Sequence, residues 1–281
     1  MTIVNSIMTA IFDALLAPFA RLSPWYGIAA VSLLTSVVML LIFRCTSNQA
    51  AIRRAKDRIR AHLLELRLYR DDMRVLLRAQ KDILLANLAY LGHSLRPLVV
   101  MIVPVVLILI QLNAHYGYQP LRPNESAIIA ARFAQASDLD MCRLELIVPS
   151  GLRVETPPLR IPSQREVDWR ISARRPGRYT VRIIVGEGSV EKEVVVGDAH
   201  TRVSPERVGS SLERVGSSLW AVMMNPGERP LPEGSAVRAV AVQYKPAALP
   251  FFRWNIHWLV AFFILSIAFG FALKGVFRVE V

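Results

Sequence analysis

The sequence predicts a membrane α-helical protein with three transmembrane helices and a cytoplasmic helical hairpin, into which an all-β domain of the immunoglobulin-like sandwich type is inserted. Three observations predict this fold class. The chain contains three long apolar runs, a strongly basic segment separates the first two, and the hydrophobic period changes to two residues between the second and third. Hydrophobic residues make up 53% of the 281 residues and the net charge is +12, a composition more apolar than that of an ordinary soluble domain.

The three apolar runs give the predicted spans, at residues 25–44, 97–114 and 253–274. With its flanking residues, each run approaches the roughly 20 residues that a helix needs to cross the hydrocarbon. Aromatic side chains stand at the ends of the first and third runs, where membrane proteins carry an aromatic belt; they are Trp25, Tyr26, Trp254 and Trp258.

Residues 1–24 predict an amphipathic helix that lies in the membrane interface. Apolar side chains recur every four residues on one helical face, which is the pattern of such a helix; they are Ile3, Ile7, Ile11, Leu15 and Phe19. A fourth, poor span and a frayed terminus are the alternatives. A signal peptide is not expected, because the segment lacks a basic start and Asp13 interrupts its apolar stretch.

The basic residues between the first two runs predict the orientation, because short loops rich in Lys and Arg stay in the cytoplasm. This places the N-terminus outside, the tail at residues 275–281 inside and the β domain at residues 115–252 outside, in the periplasm of a bacterial inner membrane. The basic side chains of the hairpin are Arg53, Arg54, Lys56, Arg58, Arg60, Arg67, Arg70, Arg74, Arg78 and Lys81.

Residues 45–96 predict an antiparallel helical hairpin that leaves the membrane and returns to it. Two runs with apolar residues three and four apart are separated at "YRDDM", where the pattern breaks. Its arginines are interpreted either as a solvated face that fixes the topology, or as a surface for anionic lipid, a nascent chain, the ribosome or another cytoplasmic partner. Sequence-specific nucleic-acid binding is not expected, because no aromatic residues interleave with the charges.

The β domain is predicted from stretches that alternate or are rich in β-branched residues, namely "RLELIV", "EVDWRIS", "RYTVRIIV", "VEKEVVVG" and "AVRAVAVQY". A hairpin is expected where Gly-Glu-Gly joins two of them. The sequence "ERVGSSL" occurs twice in succession, at residues 206–212 and 213–219. Two copies fall short of a repeat architecture, so a duplication in a tolerant surface loop is the interpretation.

No enzyme is expected, because the sequence contains no nucleophile elbow, phosphate loop, zinc-protease motif or dinucleotide fingerprint. No cofactor and no metal are expected either; a metal pair of His115 and His257 is the remote alternative. Polar residues in or near the spans are the candidate sites, because they are costly in lipid. They either pack helices together or line a partly hydrated groove; they are Ser32, Thr35, Ser36, Arg44, Gln111, Asn113 and Ser266.

Two stretches carry a family resemblance. "SLLTSVVMLLIFRCTSNQAAIRRAKDRI" leads from an apolar run through a polar segment into a basic helix, and "RPLVVMIVPVVLIL" enters the second run with prolines at Pro97 and Pro104. Together with the order of elements, they resemble the Oxa1 superfamily of membrane insertases, which includes YidC, EMC3, TMCO1 and Get1. The resemblance covers about residues 1–115 and 251–281. It places Met39 where the family carries a groove arginine, and Arg44 more than a turn later.

The resemblance implies a protein that acts in membrane-protein insertion, chaperoning or assembly, with membrane lipid and nascent or mature membrane proteins as its partners. The β domain would dock a partner outside. The alternative is a structural scaffold subunit of a larger membrane complex that has no insertion activity. A membrane-anchored receptor whose β domain binds a ligand is the third hypothesis, and it leaves the basic hairpin without a role.

Overall fold

The computed structural model combines helices with antiparallel β sheets. Two compact units divide the chain, Met1–Gly27 with Leu109–Trp258, and Ile28–Ile108 with Leu259–Val281; they are called the first and second unit below. The structure describes residues 2–20, 22–47, 54, 57, 61, 73–134, 144–197, 201–209, 224–232, 234–251 and 253–277. The first helix of the predicted cytoplasmic hairpin lies almost wholly outside these residues.

Four α-helices are described here, α1 (Thr2–Leu16), α2 (Pro24–Thr46), α3 (Met73–Tyr116) and α4 (Trp258–Leu273). Within the described residues, two helical stretches are long and apolar enough to cross a membrane: α2, with a mean hydropathy of 2.3, and Pro97–Tyr116 of α3, with 2.4. The mixed fold and these two stretches agree with the sequence prediction at this coarse level.

The third apolar run forms a shorter helix than the prediction requires. α4 has 16 residues, which is about 24 Å of helix against the roughly 30 Å of bilayer hydrocarbon. Helical hydrogen bonding continues for one more turn, because the N–H groups of Lys274 and Phe277 donate to the carbonyl oxygens of Gly270 and Leu273. A span at this place remains a prediction that depends on these flanking residues.

α3 is one uninterrupted helix of 44 residues. It joins two segments that the sequence analysis divided at Pro97, the second half of the hairpin and the second span. Pro97 and Pro104 lie inside the helix, where each lacks an N–H group and leaves one backbone carbonyl without its helical donor. Apolar side chains stand exposed around Pro97, among them Leu98 and Val99.

The β domain lies between α3 and α4, in the first unit. Its larger sheet has the strand order β3-β5-β1-β9-β8, with β4 also paired to β5, and its smaller sheet has the order β2-β6-β7. A separate hairpin, β10-β11, comes directly before α4. The strands are β1 Ser126–Phe133, β2 Leu144–Ile147, β3 Leu152–Val154, β4 Leu159–Ile161, β5 Glu166–Ala173, β6 Gly177–Val185, β7 Gly188–Val196, β8 Glu206–Val208, β9 Val237–Val242, β10 Leu249–Phe251 and β11 Trp254–Ile256.

One hydrophobic cluster contains side chains from the larger, first sheet and from the smaller, second sheet. Trp169 and Ile129 of the first sheet are 1% and 0% exposed, and Ile183 and Val194 of the second are both fully buried. The inward residues alternate with exposed ones along β5 and β6, as expected where one face of a sheet covers a core. Burial of these side chains is the main term that holds the domain together.

The hairpin predicted from Gly-Glu-Gly is confirmed. β6 and β7 pair antiparallel from Gly177 opposite Val196 to Val185 opposite Gly188. A two-residue turn is left between them, and its first residue, Gly186, has a φ of 59°. Side chains with a Cβ atom adopt this left-handed conformation only at a cost, so the sequence supplies glycine.

A charged residue lies inside the β domain. The side chain of Lys192 on β7 is fully buried, and its ammonium group contacts the Glu228 carboxylate and donates to the Ser204 carbonyl oxygen at 2.7 Å. Burial lowers the pKa of Lys192, and the Glu228 carboxylate opposes this shift. A buried cation needs such partners, because its transfer from water is otherwise prohibitively costly.

Arg207 on β8 contacts the residues that follow Glu228. Its guanidinium donates to the carbonyl oxygens of Glu191, Arg229 and Pro230, with 2.7 Å to Arg229. The chain from 228 to 230 is thus fixed by two cations, one of them buried. These contacts anchor the chain at residues 228–230 beside β7 and β8.

Candidate functional site

The candidate polar residues of the second unit meet where α2 contacts α4. Ser36 Oγ lies 2.8 Å from the carbonyl oxygen of Ser266 and 2.7 Å from that of Ser32, one turn earlier in its own helix. Ser32 Oγ donates to the carbonyl oxygen of Phe262 at 3.3 Å. Two hydroxyls four residues apart therefore face two backbone carbonyls four residues apart, and this pattern binds two helices in register.

The contacts of Ser32 and Ser36 are of the kind that the packing interpretation predicts, and both interpretations stay predictions. Thr35 is 4% exposed and lies beside them. The hydroxyl of Ser266 is buried and has no hydrogen-bond partner among the described residues. Arg44, in the last turn of α2, is exposed. Hydroxyls that donate to helix carbonyls are satisfied without water, so the hydrated groove stays a prediction.

The two other polar candidates lie at the end of α3, in the first unit. Gln111 is 1% exposed and forms a hydrogen bond with a residue that the sequence analysis did not select, Thr9 of α1, at 3.2 Å from Gln111 Nε2 to Thr9 Oγ1. Asn113 is half-buried, and its carbonyl oxygen accepts from the Gly117 N–H at 2.8 Å, at the end of the helix. Gln111 therefore joins two helices, whereas Asn113 contributes to a helix end.

A second contact repeats the first one turn later along both helices. His115 Nε2 lies 3.0 Å from Asp13 Oδ1, so residues 9 and 13 of α1 face residues 111 and 115 of α3. We call Thr9, Asp13, Gln111 and His115 the α1–α3 clamp. Both pairs have the four-residue spacing that places side chains on one face of a helix.

His115 lies between two oxygen acceptors. Its Nδ1 is 2.9 Å from the carbonyl oxygen of Gln111, and its Nε2 faces the Asp13 carboxylate. A neutral imidazole has one N–H donor and an imidazolium has two, so the ring donates to both acceptors only when it is protonated. The side chain is 5% exposed, which keeps water from replacing either partner.

Asp13 also connects α1 to the β domain. Its second oxygen lies 3.9 Å from the guanidinium of Arg202. The hydrogen bond from His115 holds the pKa of Asp13 below its usual value; burial acts against this shift, and Arg202 adds to it. The residue that interrupts the apolar stretch of α1 is therefore the one that fixes this helix to two neighbours.

The clamp leaves one apolar face of α1 uncovered. Ile7 and Ile11 are 55% and 52% exposed, whereas Phe12 and Leu16 on the opposite side are each 5% exposed. Successive residues of a helix turn by about 100°, so the clamp and the buried apolar residues share one side. The exposed side is the one whose period predicts an interfacial helix.

A third set of contacts brings the beginning of α2 to the β10-β11 hairpin. Trp25 Nε1 donates to the carbonyl oxygen of Pro250 at 2.8 Å, and its ring packs against Phe251 with 5.4 Å between centroids. Gly27 lies so close to Tyr116 that a Cβ atom added there would be 2.0 Å from the tyrosine oxygen. Sequence reasoning placed Trp25 in an aromatic belt but gave Phe251 no part in it.

The basic candidates are only partly described. Arg54 and Lys81 are exposed, and Arg74 and Arg78 lie in α3. The remaining six fall outside the described residues; they are Arg53, Lys56, Arg58, Arg60, Arg67 and Arg70. The predicted basic surface therefore remains a prediction from the sequence.

A metal site is not assembled in the part of the chain that the structure describes, where no three His, Cys, Asp or Glu side chains come together. Both ring nitrogens of His115 already face oxygen acceptors. His257 instead packs against Trp258, with 5.6 Å between their ring centroids.

The chain matches no family model, no curated protein and no solved structure.

The clamp gives a testable result. Replacing Asp13 by alanine is expected to weaken the docking of α1 by about 1 kcal/mol, the worth of a partly exposed ionic hydrogen bond. Hydrogen exchange of the α1 amides should then quicken several-fold. Ser6→Ala is the matched control, because Ser6 is exposed on the same helix. Equal exchange in the two variants would show that the clamp does not hold α1.

The same contact has a pH dependence. Because the pKa of Asp13 is lowered in the folded protein, its carboxylate contributes stability that is present above about pH 4, the ordinary value for aspartate. This contribution is lost as the pH falls through the lowered value. Acidification should therefore lower the protection factors of the α1 amides, which are corrected for the intrinsic pH dependence of exchange, and Asp13→Asn should remove that acid-side change.

Proposed function

We propose that the protein is a non-enzymatic membrane protein that acts in the insertion, chaperoning or assembly of other membrane proteins. The single observation that carries the proposal is the continuity of α3, which runs through Gly92 and Pro97 without a break. At 1.5 Å per residue, α3 is about 66 Å long. The hydrocarbon is roughly 30 Å thick, so about half of the helix extends beyond it. One continuous helix can therefore join a bilayer span to the basic segment that is proposed to be cytoplasmic.

We further propose that the chain has its N-terminus outside and its C-terminus inside, in a bacterial inner membrane, and that its β domain is an immunoglobulin-like sandwich in the periplasm. The Lys and Arg bias of the 45–96 segment supports the orientation. The shared core of the two sheets and their antiparallel pairing support the sandwich. Exposed apolar side chains on α3, such as Val99 and Val103, are compatible with contact with lipid.

The resemblance to the Oxa1 superfamily supports an insertase-like role, in which polar segments cross a locally hydrated bilayer at reduced cost. One observation favours the scaffold alternative. Ser32 and Ser36 donate to the carbonyls of Phe262 and Ser266, and so they support helix packing. Met39 stands where the family carries its groove arginine. A protein that holds partners in place needs packed helices and no groove charge.

Site-specific photocrosslinking tests the proposal. A photoreactive amino acid at Leu34 or Arg44 should crosslink to a ribosome-bound nascent membrane protein, because both side chains are exposed on α2. Leu159, 61% exposed in the β domain, is the control position and should give no such adduct. Position 36 is avoided because Ser36 bonds to α4.

The outcomes separate the two functions. Nascent-chain adducts from α2 support insertion or chaperoning. Adducts to mature membrane proteins, together with a stable stoichiometric complex and normal insertion after deletion, support the scaffold. If neither kind of adduct forms where a known insertase gives them, both are wrong.

A further inference from the structure

The β10-β11 hairpin presents aromatic side chains to its surroundings. Trp254 is 79% exposed, the highest value among the large hydrophobic side chains of the described residues, and Phe251, its partner across the hairpin, is 49% exposed. Arg253 lies in the turn between them and is also exposed. Leu249, at the base of the hairpin, is 4% exposed and anchors it in the protein.

The hairpin contacts the beginning of α2 and lies in the sequence directly before α4. Trp25 donates to its Pro250 carbonyl oxygen and packs on Phe251, and Trp25 is the second residue of α2. Tyr116, the last residue of α3, approaches Gly27 within the same unit. α4 begins at Trp258, two residues after the hairpin. The hairpin therefore contacts the start of α2 through Trp25 and leads directly into α4.

We propose that the β10-β11 hairpin is seated in the phospholipid headgroup layer of the outer leaflet, with Phe251 and Trp254 at the acyl boundary and Arg253 beside the phosphates. Tryptophan and phenylalanine bring large apolar area to this depth, and the indole N–H meets a polar partner there. An arginine donates several hydrogen bonds to phosphate oxygens. The inference rests on the proposed membrane placement of the helices.

The position of the hairpin argues for lipid as its occupant. Trp254 precedes the start of α4 by four residues, so at about 3.3 Å per residue it lies within about 13 Å of that helix end. If α4 enters the bilayer, the exposed tip lies in or next to the headgroups. Phe251 and Trp254 are paired across the hairpin and form one exposed aromatic patch; the headgroup layer removes part of this apolar area from water, which lowers the free energy of the protein in the membrane.

Spin labelling of the full chain measures the depth of the tip. The background carries Cys45→Ser and Cys142→Ser, and single cysteines replace Arg253, Leu159 or Phe263. The protein is reconstituted in vesicles of phosphatidylcholine and phosphatidylglycerol, and collisions of each label with oxygen and with a water-soluble nickel chelate are compared. The label at position 253 should lie at headgroup depth, the label at position 159 in water, and the label at position 263 of α4 inside the hydrocarbon.

Each result has a distinct meaning. If position 253 reads like position 159 while position 263 reads as hydrocarbon, the hairpin inference is wrong and the membrane placement stands. If position 263 also reads as water, both are wrong. If the label at 253 is shielded from oxygen and nickel alike, a second copy of the chain covers the tip, and the lipid proposal is overturned.

A double variant tests the role of the aromatic pair. Phe251→Ser with Trp254→Ser should raise the nickel accessibility of position 253 several-fold, because the tip then has no apolar area to hold it in the headgroups. Ile147→Ser is the matched control, since Ile147 is 47% exposed on β2 and should leave position 253 unchanged. Unchanged accessibility in the double variant would contradict the proposal.

Discussion

Replacing Glu228 by alanine is expected to destabilise the β domain by about 3 kcal/mol, the range measured when one partner of a buried ion pair is removed. Among the described residues, the variant leaves the fully buried Lys192 ammonium with the carbonyl oxygens of Glu193 and Ser204 as partners. Hydrogen exchange of the β7 amides in the full chain should quicken by about two orders of magnitude, since each 1.4 kcal/mol corresponds to a factor of ten.

The size of this effect should depend on which partner is lost. Lys192→Met leaves an apolar side chain in an apolar place, and the Glu228 carboxylate keeps the Glu193 N–H as a donor at 3.3 Å; the loss of stability is then smaller. Glu191→Ala is the control on the same strand, because its pair with Arg182 is exposed on both sides and worth about 0.5 kcal/mol. A Glu228→Ala effect no larger than this control would show that the buried pair is not a structural determinant.

Replacing Gly27 by alanine is expected to destabilise the first unit by about 1–3 kcal/mol, the usual cost of overpacking. The new Cβ atom would lie 2.0 Å from the Tyr116 oxygen and 3.3 Å from a methyl carbon of Leu16. Tyr116 is only 5% exposed, so its ring has little room to move away. Exchange of the amides at the end of α3 should quicken, and the thermal midpoint of the chain in mild detergent should fall.

A second substitution should reverse this loss. Tyr116→Phe removes the oxygen that the new methyl group meets, and the nearest remaining atoms then lie 3.3 Å away. The Gly27→Ala/Tyr116→Phe variant should therefore be more stable than Gly27→Ala alone, a coupling that a double-mutant cycle measures. Gly92→Ala is the control in α3, where a Cβ atom meets nothing within 4 Å and should stabilise the helix slightly. Additive effects at positions 27 and 116 would mean that the two residues do not meet.

The sequence predicted the strands whose two faces differ. β5 and β6 alternate between buried and exposed residues, and this alternation is visible in the letters. β1 was not singled out, because its letters SAIIAARF do not alternate: Ile128 and Ala130, which lie between its inward residues, are apolar as well. Its short apolar run is therefore ambiguous between strand and helix.

Local pattern could also have indicated one residue that sequence reasoning overlooked. Val190, Lys192 and Val194 share one face of β7, so the lysine occupies an inward position in an apolar row. Its partner Glu228 is 36 residues away, and no local rule connects the two. A charge in an inward position nevertheless predicts that some opposite charge must reach it.

The α1–α3 clamp illustrates what the sequence could not supply. Thr9 and Asp13, and likewise Gln111 and His115, have helical spacing that is visible in the letters, but each contact joins residues 102 positions apart. In the sequence, Asp13 only interrupts an apolar stretch, because its partner His115 is 102 residues away. The start of the second span was placed at Pro97, although a proline inside a long helix removes one donor without ending the helix.

The duplicated ERVGSSL sequence has a consequence for how the gene can change. The first copy supplies β8, and the chain is closed beyond it, because Leu231 N–H donates to the Val208 carbonyl oxygen at 3.0 Å and Gly209 bridges to Leu231. Loss of either copy would leave the same Glu-Arg-Val letters at the strand and shorten the sequence between Gly209 and Leu231 by seven residues. Even a doubling of loop length costs only about 0.6 kcal/mol in closure entropy. The number of copies should therefore have little effect on the free energy of unfolding. A gain or loss of seven residues leaves the Glu-Arg-Val side chains of β8 in place.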